Sequence, residues 1–266
     1  MHLLPLRACF SPALIILVVL SAGCATGPGR DPRDPLEPMN RSIYQFNDHF
    51  DRVILKPASI LYSTVTPPPV RGGVTNFFGN FHDVTTALNN ALQGKGSDAL
   101  SDLGRVLINS TIGLFGIFDV ATRLGLKKHD EDFGQTLAVW GTPDGPYLVL
   151  PFLGPSTARD TVGLGGDYLT DPEFYLFTEH PWNYVVLGTR IVNVRSNLLE
   201  TEQIFNAAAV DRYAFLRDAY LQRRHNQIND GRAPQGKEPG AQPHRKTLKE
   251  MEEELDSEPP TPQKQP

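Results

Sequence analysis

The sequence predicts a mainly helical protein with few or no strands. Three observations carry that expectation. Apolar residues recur every three or four positions through several long segments. A single short run, Tyr147–Leu150, reads as a strand, bracketed by Pro146 and Pro151. Proline, glycine and charge crowd both ends, which confines the folded body to residues 34–231 and is ample for one domain.

The helices follow in order. From Met39, Ile43, Phe46, Phe50, Val53 and Ile54 fall at helical spacing, and Arg41, Gln45, Asp48, Asp51 and Arg52 take the other faces. Tyr44, Phe46 and Phe50 make this helix aromatic, and core is the simplest place for them. Pro57 limits or kinks it. Pro67-Pro68-Pro69 is a firm break. Val70–Leu92 is the second helix, with Gly79 weakening its middle. Ser97 reads as an N-cap for a third, carrying Leu100, Leu103, Val106, Leu107 and Ile108. Trp182–Leu199 carries Val185, Val186, Ile191, Val194 and Leu198. Ile204–Ile228 carries a Tyr213, Leu216, Tyr220 stripe, with Arg212, Arg217, Arg223 and Arg224 projecting elsewhere.

The ends carry their own information. Arg7 precedes the unbroken apolar run Ala13–Leu20, which leads into Ser21-Ala22-Gly23-Cys24. A basic start, a short apolar core and small residues at a cleavage point read as a bacterial export signal over residues 1–23. A cysteine directly after Ala-Gly reads as the lipid-attachment residue of a lipoprotein, with Cys24 expected to become the acylated N-terminus; an ordinary secretory signal with a chance cysteine is the alternative. The run is shorter than the roughly 20 residues a transmembrane helix needs. Cys9 leaves with the signal, so no intramolecular disulfide is expected. Losing Arg7 takes the formal charge from −5 to −6, a poor balance for nucleic acid. Residues 24–33 read as a linker. Residues 232–266, rich in Pro and charge, read as a disordered tail in which Thr247–Leu255 can form an exposed helix.

One segment does not fit an ordinary soluble protein. Val106–Phe118 is uncharged and closed by Arg105 and Asp119, with Gly113 and Gly116 where a helix would bend. As a straight helix it covers about 20 Å against a hydrocarbon core of about 30 Å, so it does not span. Two readings stay open: a buried helix, or a hairpin dipping partway into lipid. Irregular backbone at membrane depth needs protein or a water-filled cavity to satisfy its polar groups. That requirement predicts a closed body around a polar interior.

Catalytic constellations are weak. Gly154-Pro155-Ser156-Thr157-Ala158 lacks the last glycine of a nucleophile elbow, so Ser156 reads as a cap or turn. His82-Asp83 and His129-Asp130 are adjacent pairs that do not face one another on a helix, so no metal site is read there. His180, before Pro181, reads as a turn residue. Gly163-Leu164-Gly165-Gly166 reads as a turn or a close helix contact, and Asp130-Glu131-Asp132 as a solvated loop. No enzyme and no cofactor follow.

Several blocks, taken together, resemble a known family. They are Asp34-Pro35-Leu36-Glu37-Pro38-Met39-Asn40-Arg41 with Tyr44-Gln45-Phe46-Asn47, Asn76–Asn80, and Arg105 through Asn109–Gly113 to Phe118–Ala121. Phe133–Leu137, Gly145-Pro146-Tyr147, Leu150–Gly154 and Arg159-Asp160 follow, then Arg217–Arg224 and Asn229-Asp230-Gly231. In this order they resemble the MlaA (VacJ) family of outer-membrane lipoproteins, with departures at Arg212 and Ser21.

The resemblance implies a ring of helices in the plane of the outer membrane, around an amphipathic pore. It implies removal of phospholipid from the outer leaflet toward a periplasmic lipid-carrier protein, and association with a trimeric porin. On that basis Ile112, Gly113, Leu114, Phe115, Gly116, Ile117 and Phe118 are expected to form the lipid-contacting hairpin. A lipoprotein that only scaffolds a porin, and a lipid hydrolase using Ser156, are the rival readings.

Overall fold

The structure, a computed structural model, describes residues 31–202 and 211–231. The export signal, Cys24, residues 204–210 of the last expected helix and the Thr247–Leu255 segment lie outside the described residues.

The chain opens with α1 (Glu37–Phe50), a π-helical turn (Asp51–Leu55) and α2 (Lys56–Val65). The wide turn sits immediately before Pro57, which has no N–H to continue α-helical pairing. The Lys56 N–H closes the turn on the Asp51 carbonyl. Pro67 is extended, and Pro68 and Pro69 form the first turn of α3 (Pro68–Leu92), which runs unbroken through Gly79. α4 (Gly96–Thr111) begins one residue before Ser97, whose hydroxyl reaches Asp98 and caps nothing.

Side-chain caps do operate further on. Asp119 caps α5 (Val120–Arg123), and Asp132 caps α6 (Phe133–Val139). Strand β1 (Tyr147–Leu150) pairs antiparallel with β2 (Gly154–Thr157), in register from Tyr147 opposite Thr157 to Leu150 opposite Gly154. Thr157 then caps α7 (Ala158–Thr170), and α8 (Glu173–Leu176), α9 (Trp182–Asn197) and α10 (Arg212–Ile228) complete the described elements. β2 escaped the sequence reading because Pro155 sits inside it, which only an edge strand tolerates.

Neighbouring elements form a closed circuit. α1 leads through the π turn to α2, α2 packs on α9, α9 on α3, α3 on α6, α6 on α10, α10 on β2, and β1 returns to α1. Two asparagines fasten the return. Asn40 donates to the Tyr147 carbonyl and accepts from the Val149 N–H; Asn47 donates to the Leu150 carbonyl and accepts from the Phe152 N–H. Gly163 in α7 lies against Gly134 of α6, where a Cβ would meet the Gly134 nitrogen at 2.5 Å. The glycine-rich run is thus a close helix contact.

The interior is polar. Among the described residues, the buried apolar set is small: Tyr147, Val149 and Tyr213 cluster with Ile43, Tyr44, Tyr220 and Leu221 around them, and Phe78 and three alanines lie elsewhere. Buried polar and charged residues outnumber them several-fold. Asp83, Thr86 and Asn90 form the packed face of α3, and Asp102, Arg105 and Asn109 that of α4. Between them Asn90 donates to Asp102, Arg105 to Asp83, and Asn80 to Ser110.

The apolar stripes face the other way. Leu100, Leu103 and Leu107 of α4, and Val185, Ile191, Val194 and Leu198 of α9, are all exposed. Phe46 of α1 is exposed as well and meets Phe152 edge-on, so it is not a core residue. The reverse correction applies to α10, where Arg217 and Arg224 lie on the buried face with Tyr213. Among the described residues no helix is long and apolar enough to cross a membrane.

Candidate functional site: an amphipathic cavity and an apolar hairpin

Two features stand out against this inverted body. One is a cavity of about 580 Å³, bounded by α3, the segment before α6, the β-hairpin, α7 to α9 and α10. Its lining is mixed. Leu150, Leu153, Leu164, Tyr168 and Phe174 contribute apolar surface; Asp130, Asp132, Asp160, Asp167, Asp171, Arg190, Arg223 and Arg224 contribute charge.

Most of that charge is paired. Arg224 donates to both oxygens of Asp132 and, at 2.8 Å, to Asp160. Burial opposes ionisation of Asp160, but Arg224, Tyr220 and Arg159 together hold its pKa below the usual carboxylate value. Arg190 bridges Asp171 at 3.1 Å and Glu173 at 2.6 Å. His82 meets Asp130 at 3.0 Å, and that hydrogen bond raises the imidazole pKa. Asp167 differs: burial pushes its pKa up to about 6, against hydrogen bonds from the Phe133 N–H and the Asn89 amide. The acidic run before α6 is therefore not a solvated loop. Glu131 is buried against Lys95 and Gln93, Asp132 pairs with Arg224, and Asp130 faces His82.

The other feature is the segment after α4. Gly113 bonds back to Ile108, and Gly116 to Asn109, so the backbone reverses tightly. Leu114, Phe115 and Gly116 have φ of 52°, 56° and 88°, in the left-handed region that only glycine enters without cost. At Gly113 a Cβ would meet the Phe118 carbonyl at 2.2 Å, and at Gly116 the Asn80 side chain at 2.6 Å. Asn76 donates to the Ile117 carbonyl and ties the turn to α3. Ile112, Leu114, Phe115, Ile117 and Phe118 are exposed, Phe115 to 76%. The other apolar turn, between β1 and β2, exposes Phe152 and Leu153.

Beneath the hairpin lies an ionic knot. Arg105, 1% exposed, donates to Asp83, Asp119, Thr122 and the Leu126 carbonyl. Lys128 adds a second cation on Asp83, and His129 meets Asp102 at 3.0 Å. The two His-Asp neighbours in sequence thus pair across elements instead. Among the described residues no three His, Cys, Asp or Glu side chains converge to hold a metal. Ser156 is buried in β2, with Thr161 and the Thr157 carbonyl as its hydrogen-bond partners. His180 lies in the bend before α9, stacked on Tyr184.

Sequence reasoning assigned none of the cavity-lining residues to a cavity, and it did not single out Asp167 or Asp171 at all. Asp160, Asp167 and Asp171 sit at helical spacing, a signal that fits a wetted helix face as well as a lined cavity.

Comparison with known proteins places this architecture. The MlaA lipoprotein family model matches residues 32–227. The intermembrane phospholipid transport system lipoprotein MlaA of Escherichia coli K12 is 32% identical over 251 residues, covering 91% of this chain and 98% of that protein. The Haemophilus influenzae protein of the same name is 30% identical over 85% of this chain and 92% of its own. An uncharacterised Rickettsia bellii protein is 36% identical over 73% of this chain and 76% of its own. A solved structure, described as the structural basis for maintenance of bacterial outer membrane lipid asymmetry, superposes with a TM-score of 0.64 at 30% identity. It matches over 75% of this chain and 100% of its own. A body that is helical, with one two-stranded hairpin among the described residues, a match along nearly all of its described length and relatives at this identity leave one assignment: the chain belongs to the MlaA lipoprotein family.

Proposed function

We propose that this chain is an outer-membrane lipoprotein that removes mislocalised phospholipid from the outer leaflet and passes it toward a periplasmic lipid-carrier protein, so maintaining lipid asymmetry. Cys24 is its lipid attachment, and the body sits in the inner leaflet. The carrying observation is the inversion: large apolar side chains outside, a charged cavity inside. Leaving a large aliphatic or aromatic side chain in water forfeits about 1.5–3 kcal/mol, and contiguous exposed apolar surface marks a membrane or partner contact.

A phospholipid resists crossing because its head group is charged and its tails are not. Desolvating an unpaired charge is costly. A cavity that presents both Asp167 and Leu164 accepts the head while leaving the tails an apolar border. Transfer needs no catalytic group; a carrier binding lipid on the far side gives direction. The Ile112–Phe118 hairpin seats the body in the leaflet, and a trimeric porin covers part of the apolar exterior. A scaffold that only tethers a porin would account for the exterior but leaves the charged cavity without a role.

The test is a strain lacking the gene, assayed for phospholipid in the outer leaflet and then complemented. Surface phospholipid should rise on deletion and fall on complementation. Unchanged asymmetry would refute transport.

A further inference from the structure

The cavity does not pair its charged groups equally. Its guanidinium groups are committed in different degrees. Arg224 is shared between Asp132 and Asp160, and Arg190 between Asp171 and Glu173. Arg223 is the loosest, 72% exposed and 3.4 Å from Asp130.

One carboxylate stands apart. Asp167 takes the Phe133 N–H at 2.9 Å and the Asn89 amide at 3.3 Å, both on Oδ1. Its Oδ2 has no hydrogen-bond partner among the described residues, and no cation pairs with either oxygen. Oδ1 is anchored from α3 and from the start of α6, so the carboxylate is fixed in place on the cavity wall.

We propose that Asp167 accepts the primary ammonium of a zwitterionic phospholipid head group, so that the cavity favours phosphoethanolamine heads over anionic phosphoglycerol heads. This rests on the lipid-transport reading above. A primary ammonium has three N–H donors, enough to bond Oδ2 and retain water on the rest. Arg223, loosely held at the same cavity, meets the phosphate of such a head. A phosphoglycerol head offers Arg223 the same phosphate but sets a net negative charge against Asp167. A trimethylammonium head carries the charge without an N–H donor and falls between the two. The raised pKa of Asp167 agrees: burial opposes its charged form, and His82 nearby offsets only part of that cost.

The test uses the full lipidated chain, purified in detergent and equilibrated with vesicles of equal phosphatidylethanolamine, phosphatidylglycerol and phosphatidylcholine. Bound lipids are extracted and quantified at neutral pH. Ethanolamine lipid should be enriched over glycerol lipid about tenfold, the scale of one charge-assisted hydrogen bond. It should also exceed choline lipid. Asp167→Asn should bring the ratio close to the input, and Asp167→Glu should keep the preference.

Bound lipid in the input ratio for the unmutated chain overturns the selectivity and leaves transport standing. A preference that persists in Asp167→Asn overturns the role of Asp167. If Asp167→Asn does not fold, the ethanolamine-over-choline ratio of the unmutated chain decides alone. A chain that binds no lipid at all, in a strain whose asymmetry is unaffected by its loss, removes the transport reading and this one with it.

Discussion

Arg105 does in this body what a central leucine does in a water-soluble one. It is 1% exposed and joins α4 to Asp83 of α3, to Asp119 and Thr122 at α5, and to the Leu126 carbonyl. Removing one partner of a buried ion pair leaves an uncompensated charge, at a cost of about 3–5 kcal/mol. Arg105→Met should lose that much, read by denaturant unfolding in detergent; a loss below about 1 kcal/mol would show that Lys128 alone satisfies Asp83.

Asp167 makes the opposite prediction. Its folded pKa, about 6, lies above the ordinary carboxylate value, so its charged form costs stability. That cost is absent in acid, where the group is protonated in both folded and unfolded chains, grows as pH rises from 3.8 to about 6, and is constant above that. Asp132 adds to the shift and His82 counters it. Asp167→Asn should therefore gain thermal stability over the unmutated chain at neutral pH and lose that advantage in acid. A pH-independent difference between the two melting curves would contradict this account.

At the scale of elements, the sequence was most legible where a break or a bend is written in one residue. Pro67 sets the boundary before α3, and Gly113 and Gly116 lie where the hairpin reverses. The helices were legible as amphipathic segments because period alone reveals two faces. Which face turns inward was not legible. Leu100, Leu103 and Leu107 give the same pattern on a helix in water and on one presented to lipid, with opposite burial.

The hairpin makes that distinction testable. Phe115 is 76% exposed, so Phe115→Glu should leave the fold and its melting temperature nearly unchanged. It should impair membrane seating, and outer-leaflet phospholipid should stay high in a deletion strain that carries it. Normal lipid asymmetry with this variant would remove the hairpin from the account.

For the whole molecule, the circuit of elements and the inversion belong together. A closed series of helices can satisfy its backbone and polar side chains inward while apolar side chains face out, which open irregular backbone at membrane depth cannot do. Asn40 and Asn47 close the series across more than a hundred residues of sequence, between α1 and the β-hairpin. Neither their partners nor the residues that line the cavity were legible in the sequence, because both depend on contacts between distant segments; a closed body around a polar interior was. The order of the matching blocks did point to the family, since they recur from α1 to α10.

Whether lipid head groups pass through the cavity is decided by blocking it. Leu164 lines the cavity and is 44% exposed, so Leu164→Trp fills space without disturbing a packed core. In a deletion strain, outer-leaflet phospholipid should return to normal with the unmutated chain and remain raised with Leu164→Trp at equal abundance in the outer membrane. Full restoration by Leu164→Trp would contradict passage through the cavity.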